Sequence, residues 1–340
     1  MAIDYWLLTI GYGLLAIVLC RFTFAVSRLH LYPIELKKLR MQRKIIYIIN
    51  PVSGTRTKKS LQKLIEEKTR EQKIPYHIFP SVADGNYDFL ETIIKDEKIT
   101  DIVVAGGDGT VSQVVGSLMQ NDLDFGVIPC GSGNGLALAA GIPKRPEKAL
   151  QIIFSGKSSL IDGFYVNRQF ACMLCGLGFD AKVAHDFAKQ PTRGLGTYIK
   201  QVLQNFFTAS IYSFDLQLKN IRFETQAYFI SIANSNQFGN NFTIAPKASL
   251  TDGLLDVVIV TNQNKLNFIL QTLRQVAGWN RLQSELYVEK RHGVIYFQTD
   301  QFSIMNNSDA PMHIDGDPVE LTSQIKIRMK KKCFRLIQPT

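Results

Sequence analysis

The sequence predicts an α/β protein in two parts: a mostly parallel-sheet domain over 44–145, then a β-rich domain over 146–325. Three observations predict it. From Lys44 onward, short apolar runs alternate four times with amphipathic segments, the pattern of a parallel sheet with helices on both faces. Past Pro143-Lys-Arg-Pro146 strands dominate, joined by loops rich in Asn, Gly and Asp. With 340 residues and 46% hydrophobic content, there is enough chain for two cores.

Taken in order, Ile45–Ile49 is a buried strand by composition and length. Asn50-Pro-Val-Ser-Gly54 is a loop, and residues 58–72 form a helix with a polar face. Tyr76–Phe79 is the second strand, followed by a helix over 86–97. Ile102–Ala105 is the third, with its helix over Val111–Gln120, and Phe125–Pro129 is the fourth, with a helix starting near Asn134. A helix over 147–155 leads into strands at 158–166, 169–176, 228–235, 254–261, 294–299, 312–315 and 325–333, an antiparallel β-sandwich by its texture. A helical insertion over 197–209 sets Tyr198, Ile199, Val202, Leu203, Phe206 and Phe207 at helical spacing. That stripe is either a core face or one wall of an acyl-chain cleft. Residues 326–340 are a basic strand or tail able to pack back on the first domain.

The 39 Lys+Arg outnumber the 29 Asp+Glu, and the excess sits at the two ends. Residues 21–44 hold Arg21, Arg28, Lys37, Lys38, Arg40, Arg43 and Lys44 against Glu35. Residues 326–335 hold Lys326, Arg328, Lys330, Lys331, Lys332 and Arg335 with no acid, which leaves the body close to neutral. A nucleic-acid protein carries its basic patch on its body, so no nucleic-acid partner is expected. Basic ends suit an anionic membrane surface, or are plain solvated tails. Tyr5–Cys20 is uncharged and mostly apolar, ~24 Å long as a helix; extension to Val26 reaches ~33 Å with Arg21 near one interface. The basic residues follow this run, so residues 1–43 are expected to anchor the chain at the cytoplasmic face of the membrane. A cleaved signal peptide would carry its charge ahead of the apolar run. Met41, just before the first strand, leaves residues 1–40 readable as an appendage. Cysteines 20, 130, 172, 175 and 333 are odd in number and scattered, which suits a reduced compartment.

Three glycine-bearing loops sit just past strand carboxyl ends, where an open α/β sheet holds its ligand. They are Asn50-Pro-Val-Ser-Gly54, Gly106-Gly-Asp-Gly-Thr110 and Gly131-Ser-Gly-Asn-Gly135. Glycines let backbone N–H groups approach an anion closely, and the helix N-terminus that follows adds its dipole. Gly54-Thr-Arg-Thr-Lys-Lys-Ser60 lacks the second glycine of a Walker-type loop. Gly176-Leu-Gly-Phe-Asp-Ala181 matches a dinucleotide fingerprint, but it lies in the strand-rich half and no acid follows between 187 and 214 to hold a ribose. A dinucleotide site is therefore rejected. The five histidines show no metal-ligand spacing, and Cys172-Met-Leu-Cys175 reads as core.

In that order, Asn50-Pro-x-Ser-Gly54, Gly106-Gly-Asp-Gly-Thr110 and Gly131-Ser-Gly-Asn134 resemble the diacylglycerol kinase catalytic domain. Its superfamily includes bacterial lipid kinases, sphingosine kinases and ceramide kinases. Asp162-Gly163, Gly176-x-Gly-Phe-Asp180, Ala245-Pro246, Asp252-Gly-Leu254 and Asp315-Gly316 resemble its later landmarks, so the likeness covers about 44–333. Gly-Gly-Asp-Gly-Thr alone is shared with NAD kinases and, loosely, phosphofructokinases. The resemblance implies a Rossmann-like first domain of that type, a β-sandwich second domain, ATP in the cleft between them, and lipid arriving from the membrane side. It implies nucleotide contacts from Asn50, Ser53, Gly54, Gly106, Gly107, Asp108, Gly109, Thr110, Gly131, Ser132, Gly133 and Asn134. It implies a structural Mg²⁺ on the loop of Ser249, Asp252 and Leu254, partly through carbonyls, and a second Mg²⁺ on the ATP phosphates.

The family places its general base in Asp-Gly-Glu, whereas this chain reads Asp315-Gly-Asp317, shorter by a methylene or ~1.5 Å. Asp317, Asp315 or Asp108 is the carboxylate expected within reach of the acceptor hydroxyl. The plain alternative is an Asp-Gly turn with solvated carboxylates. The third loop is nearer the sphingosine kinase form, and Asp180 lies near the position where those enzymes engage the substrate amine. The resemblance thus implies an ATP-dependent lipid kinase with diacylglycerol as the default acceptor, giving phosphatidic acid. A sphingoid base is the alternative. An NAD kinase or a silent lipid-binding protein on the same fold are the remaining ones, and a homo-oligomer is left open.

Overall fold

Ile45–Ile49 (β1), Tyr76–Pro80 (β2), Asp101–Gly106 (β3) and Asp124–Pro129 (β4) pair in parallel, in the order β4-β3-β1-β2. The computed structural model describes residues 42–53, 58–188, 190, 204–205, 209–236, 245, 247–261, 289–291 and 293–340. Because successive residues face opposite sides of a strand, β1 and β3 feed two cores. Ile46, Ile48, Ile102 and Val104 pack with Val111, Val114, Val115 and Leu118 of helix Asp108–Leu118. Ile45, Tyr47, Val103 and Ala105 pack with Leu61 and Ile65 of helix Lys58–Glu71, and with Leu150 and Ile153 of helix Pro146–Ser155. In chain order the helices here are α1 (Lys58–Glu71), α2 (Glu91–Asp96), α3 (Asp108–Leu118), α4 (Gly135–Ala139) and α5 (Pro146–Ser155). The helix expected over 86–97 is instead a 3₁₀ turn, Asp88–Leu90, followed by α2. Asp84 accepts from the Asn86 amide and Asn86 from the Asp88 amide, so side chains take the amides a longer helix would use.

The second part comprises β5 (Lys157–Val166), β6 (Gln169–Ala171), β7 (Leu174–Gly178), β8 (Tyr212–Gln217), β9 (Arg222–Ala233), β10 (Leu255–Thr261), β11 (Glu289–Arg291), β12 (Val294–Thr299), β13 (Gln301–Asn306), β14 (Met312–Ile314), β15 (Asp317–Val319) and β16 (Gln324–Gln338). Their mutual pairings are antiparallel. β9 carries β8 on its first half and both β7 and β10 on its second, so the strands fold into two layers. The layers enclose Ile230, Ile232, Val257, Ile259, Phe302, Ile304, Ile325 and Ile327.

Several elements differ from the sequence expectation. The strand expected over 169–176 breaks between β6 and β7, because the Cys172 and Met173 amides donate to Asp315 rather than to a ladder. Helix α6 (Phe179–Ala188) follows β7 directly, and Gly178, at φ +86°, makes the turn into it. Strands β8, β11, β13 and β15 are also additional, and β9 begins at Arg222, ahead of the strand expected over 228–235. The final strand extends through Gln338: it pairs with β13 and β5 and then, at Arg335 and Leu336, in parallel with β4. Ile325, Ile327 and Met329 of β16 lie in the sandwich core, and Phe334 and Leu336 lie in the first core.

The expected anchor within residues 1–41 lies outside the described residues, as does most of the insertion over 197–209. Among the described residues no helix is long and apolar enough to cross a membrane.

Candidate functional site

The strands β4, β3 and β1 are neighbours, so the three loops leaving their carboxyl ends lie side by side. Side chains and close backbone contacts bind them together. Asn50 Nδ2 donates to Thr110 Oγ1 at 2.8 Å and Asn50 Oδ1 accepts from the Val52 amide at 2.9 Å, which ties the first loop to the second. Ser53 Oγ donates to the Asn50 carbonyl at 3.3 Å. Gly54 lies outside the described residues. The second and third loops meet backbone to backbone: a Cβ on Gly131 would stand 2.6 Å from the Gly107 Cα. Inside the second loop, a Cβ on Gly106 would stand 2.8 Å from the Thr110 Cβ. Asn134, at φ +57°, closes the third loop on itself: Nδ2 donates to the Gly131 carbonyl and Oδ1 accepts from the Gly131 amide, each at 2.7 Å. Ser132 and Gly133, between them, are half-buried.

Asp108 and Asp315 are buried at 8% and 5% exposure, and each is held by backbone amides. The Asp108 oxygens accept from Gly135 and Leu136 at 3.0 Å each, at the start of α4. Burial pushes its carboxyl up, against the opposing pull of those amides. Asp315 and Gly316, at φ +48° and +87°, form the two-residue turn between β14 and β15, the left-handed pair that an Asp-Gly hairpin turn requires. The Asp315 carboxylate accepts from the amides of Leu174 at 2.7 Å, Cys172 at 3.0 Å and Met173 at 3.1 Å, and from the Ser112 hydroxyl of α3. Burial still raises it to about 6. Below the turn, His313 Nδ1 accepts from the Gly316 amide at 3.2 Å.

Asp317, the first residue beyond the turn, is exposed. Its carboxylate stands against Gly109 of the second glycine loop, so closely that a Cβ on Gly109 would collide with it. Helix α6 packs on β14 and β15, and Asp180 belongs to its first turn. The structure therefore brings Asp108, Gly109, Asp315 and Asp317 to one place, although more than 200 residues separate the pairs. Ser112, His313 and the amides of 172–174 are members that sequence reasoning missed. The spacing of Ser112, one helical turn past Asp108, was the available signal.

The loop of Ser249, Asp252 and Leu254 lies apart from that group in the hydrogen-bond pattern. Its Gly253 amide donates to Asp162 Oδ2 at 2.7 Å, and the Lys332 amide donates to Asp162 Oδ1 at 2.6 Å. Asp252 Oδ1 accepts from the Leu254 amide at 3.0 Å, and the Ser249 hydroxyl meets the Thr251 amide at 3.4 Å. Desolvation, with the nearby Asp162 carboxylate, raises the Asp252 carboxyl. A loop offering a carboxylate, hydroxyls and carbonyls has the oxygen donors that a hard cation such as Mg²⁺ takes, with the Lys331 side chain lying against Gly253 beside them and offsetting part of the Asp252 charge. Among the described residues no three His, Cys, Asp or Glu side chains cluster as a ligand set, so a cation held at this loop would need carbonyl oxygens as well. Burial, helped by Asp315, holds the Cys172 thiol well above its ordinary range, and burial raises Cys333 to about 12. Cys172 is buried and Cys333 packs partly buried against the first core, surroundings that disfavour the thiolate at both.

Comparison with known proteins agrees with this geometry. The family model described as the diacylglycerol kinase catalytic domain matches residues 44–166. The model described as the YegS C-terminal NAD kinase beta sandwich-like domain matches 174–330. The lipid kinase YegS of Escherichia coli K12 is 28% identical over 258 residues, which cover 74% of this chain and 82% of that protein. The probable lipid kinase YegS of Shigella flexneri is 27% identical over the same coverage. The crystal structure of a diacylglycerol kinase from Bacillus anthracis shares the fold, with a TM-score of 0.68 and 19% identity over 87% of this chain and 97% of that one. Two family models lying end to end from the first strand to the last, over a parallel sheet and a β-sandwich that meet at an Asp-Gly-Asp turn, place this chain in the diacylglycerol kinase/YegS family of lipid kinases.

Proposed function

We propose that this lipid kinase phosphorylates the hydroxyl of a diacylglycerol at an anionic membrane surface, giving phosphatidic acid. The observation that carries the reading is the exposed Asp317 carboxylate laid against Gly109. The other two carboxylates of the cluster are buried and serve to hold backbone; Asp317 faces solvent, where an acceptor hydroxyl has access. In this reading the Asp317 carboxylate takes the proton of that hydroxyl. Those glycine-loop amides not already taken by Asn50, Asp108 and Asn134 are left for the phosphates, while Asn50, Thr110 and Asn134 keep the loops in register. ATP supplies the γ-phosphoryl group, and Mg²⁺ neutralises charge on its phosphates. A structural Mg²⁺ would be held by Asp252 with oxygens of Ser249 and Leu254.

Docking to the membrane is read from β16. Its period of two turns Ile325, Ile327 and Met329 inward and Lys326, Arg328 and Lys330 outward, a basic row on one face. The apolar and basic residues of 1–43 support the same surface on the cytoplasmic side. A sphingoid base is the second reading, favoured by Asp180 in a helix packed against β15.

The test is a panel of diacylglycerol, monoacylglycerol, ceramide and sphingosine in anionic micelles with labelled ATP and Mg²⁺. Label in diacylglycerol is expected. Label in sphingosine alone, abolished by Asp180→Asn, would transfer the assignment to the second reading. Label in none of them would end both.

A further inference from the structure

We propose that Ser112 is a positioning residue for phosphoryl transfer, setting where Asp317 stands against the second glycine loop. The proposal rests on Asp317 being the base, and goes beyond it by naming what holds the base in place.

Gly109 and Ser112 are three residues apart on α3, so they share one face of the helix. That face meets the Asp-Gly-Asp turn at two points. Gly109 touches the Asp317 carboxylate, and one turn on the Ser112 hydroxyl donates to Asp315. The same hydroxyl oxygen accepts from the Cys172 amide at 3.1 Å. At 4% exposure, Ser112 makes these bonds out of reach of solvent. Asp315 otherwise belongs to the second domain, through the amides of Cys172, Met173 and Leu174. Ser112 therefore gives Asp315 a bond that reaches across from the nucleotide-loop helix.

The turn transmits this bond to the base. Asp315 and Gly316 both sit in left-handed backbone, and Ile314 pairs directly with Asp317 across the hairpin. A two-residue turn of this kind has no slack, so fixing Asp315 fixes Asp317. Removing the Ser112 hydroxyl leaves the three amides on Asp315, so the sandwich keeps its own hold on the turn. What is lost is the register between the turn and α3, hence the placement of a carboxylate that must come within hydrogen-bond distance of the acceptor.

The experiment is steady-state kinetics of Ser112→Ala with ATP and a lipid acceptor, with melting temperature measured alongside. The expected result is a fall in kcat of about tenfold or more, with KM for ATP nearly unchanged and a fold of near-parental stability. A kcat within about twofold of the parent, or a KM for ATP that rises as far as kcat falls, overturns the proposal. Ser112→Cys puts a larger and weaker donor in place of the hydroxyl; its kcat should fall between the two, and it carries the same test should the alanine variant not fold. Asp317→Asn, measured in parallel, separates the two failures. Full turnover in Asp317→Asn removes the base itself, whereas a dead Asp317→Asn beside a normal Ser112→Ala removes only the positioning role.

Discussion

Three aspartates within one small volume differ only in what surrounds them. Asp108 and Asp315 are buried and organise backbone amides, and Asp317 is exposed at the rim of the second glycine loop. Asp317→Asn should therefore lower kcat by about 10²–10⁴, the usual worth of a general base, while calorimetry shows ATP affinity unchanged. Asp315→Asn should act differently, because an NH₂ group would face the amide donors of 172–174. Its expected cost is about 3 kcal/mol in urea unfolding at pH 7. The pH dependence has a definite sign. Burial raises Asp315 to about 6 from the ~3.9 of an unfolded aspartate, so its contribution to stability is complete below about pH 4 and is lost as pH rises through 6. The melting-temperature advantage of the parent over Asp315→Asn should shrink across that window, and a constant difference would refute the assignment. Among the glycines, Gly131→Ala sets a methyl against the Gly107 backbone, where nothing flexible yields. ATP binding should weaken by about tenfold or more, read by calorimetry, from the loss of charge-assisted amide contacts as the loops part.

At the scale of elements, the sequence was legible wherever the controlling interactions are local. The four parallel strands are continuous apolar runs because both faces are buried, and the glycine loops follow their ends in a fixed order. Elements controlled from a distance were not legible. The break between β6 and β7 exists because Asp315, over 140 residues away, takes the Cys172 and Met173 amides. Helix α6 begins in a segment whose two glycines read equally well as strand, and β8 and β13 are short strands without a distinctive apolar run. The division of labour among the three aspartates was hidden for the same reason: burial is a tertiary property, and Asp108, Asp315 and Asp317 are each spelled alike beside a glycine. β16 shows what a local pattern misses. Its alternation was visible and its return to the first domain was expected, but not its pairing with β4 in particular, nor the bulge between Lys330 and Phe334 that re-aims the strand from one core to the other. Phe334→Ala should consequently cost about 3–5 kcal/mol in urea denaturation, although it lies near the chain's end, because its ring packs edge-on against Phe125 of the first core at 5.8 Å.

The sixteen described strands form one continuous hydrogen-bonded system, and the strand that closes it belongs to both cores. The two family models divide residues 44–166 from 174–330, yet the physical boundary is crossed by β16, by the Ser112–Asp315 bond and by the Arg335 pairing with Asp122 and Asp124. A two-domain chain commonly unfolds in two steps because few contacts cross its linker. Here the first core lacks Phe334 and Leu336 until the last strand arrives, and the edge of β4 lies open until β16 covers it. A chain lacking residues 1–42 should therefore lose both cores in one urea transition. Hydrogen exchange of β3 peptides and of β10 peptides should give the same midpoint, and a fragment of residues 43–166 should fail to fold by itself, its unpaired β4 edge driving aggregation. Two separate midpoints, or a soluble and cooperatively melting fragment, would show that the last strand is an accessory to the first core rather than part of it. The same coupling carries a functional consequence. Because the Asp-Gly-Asp turn and the glycine loops are joined through this shared framework, loosening β16 by Phe334→Ala should reduce kcat as well as stability, and adding back ATP should raise the variant's midpoint less than it raises the parent's.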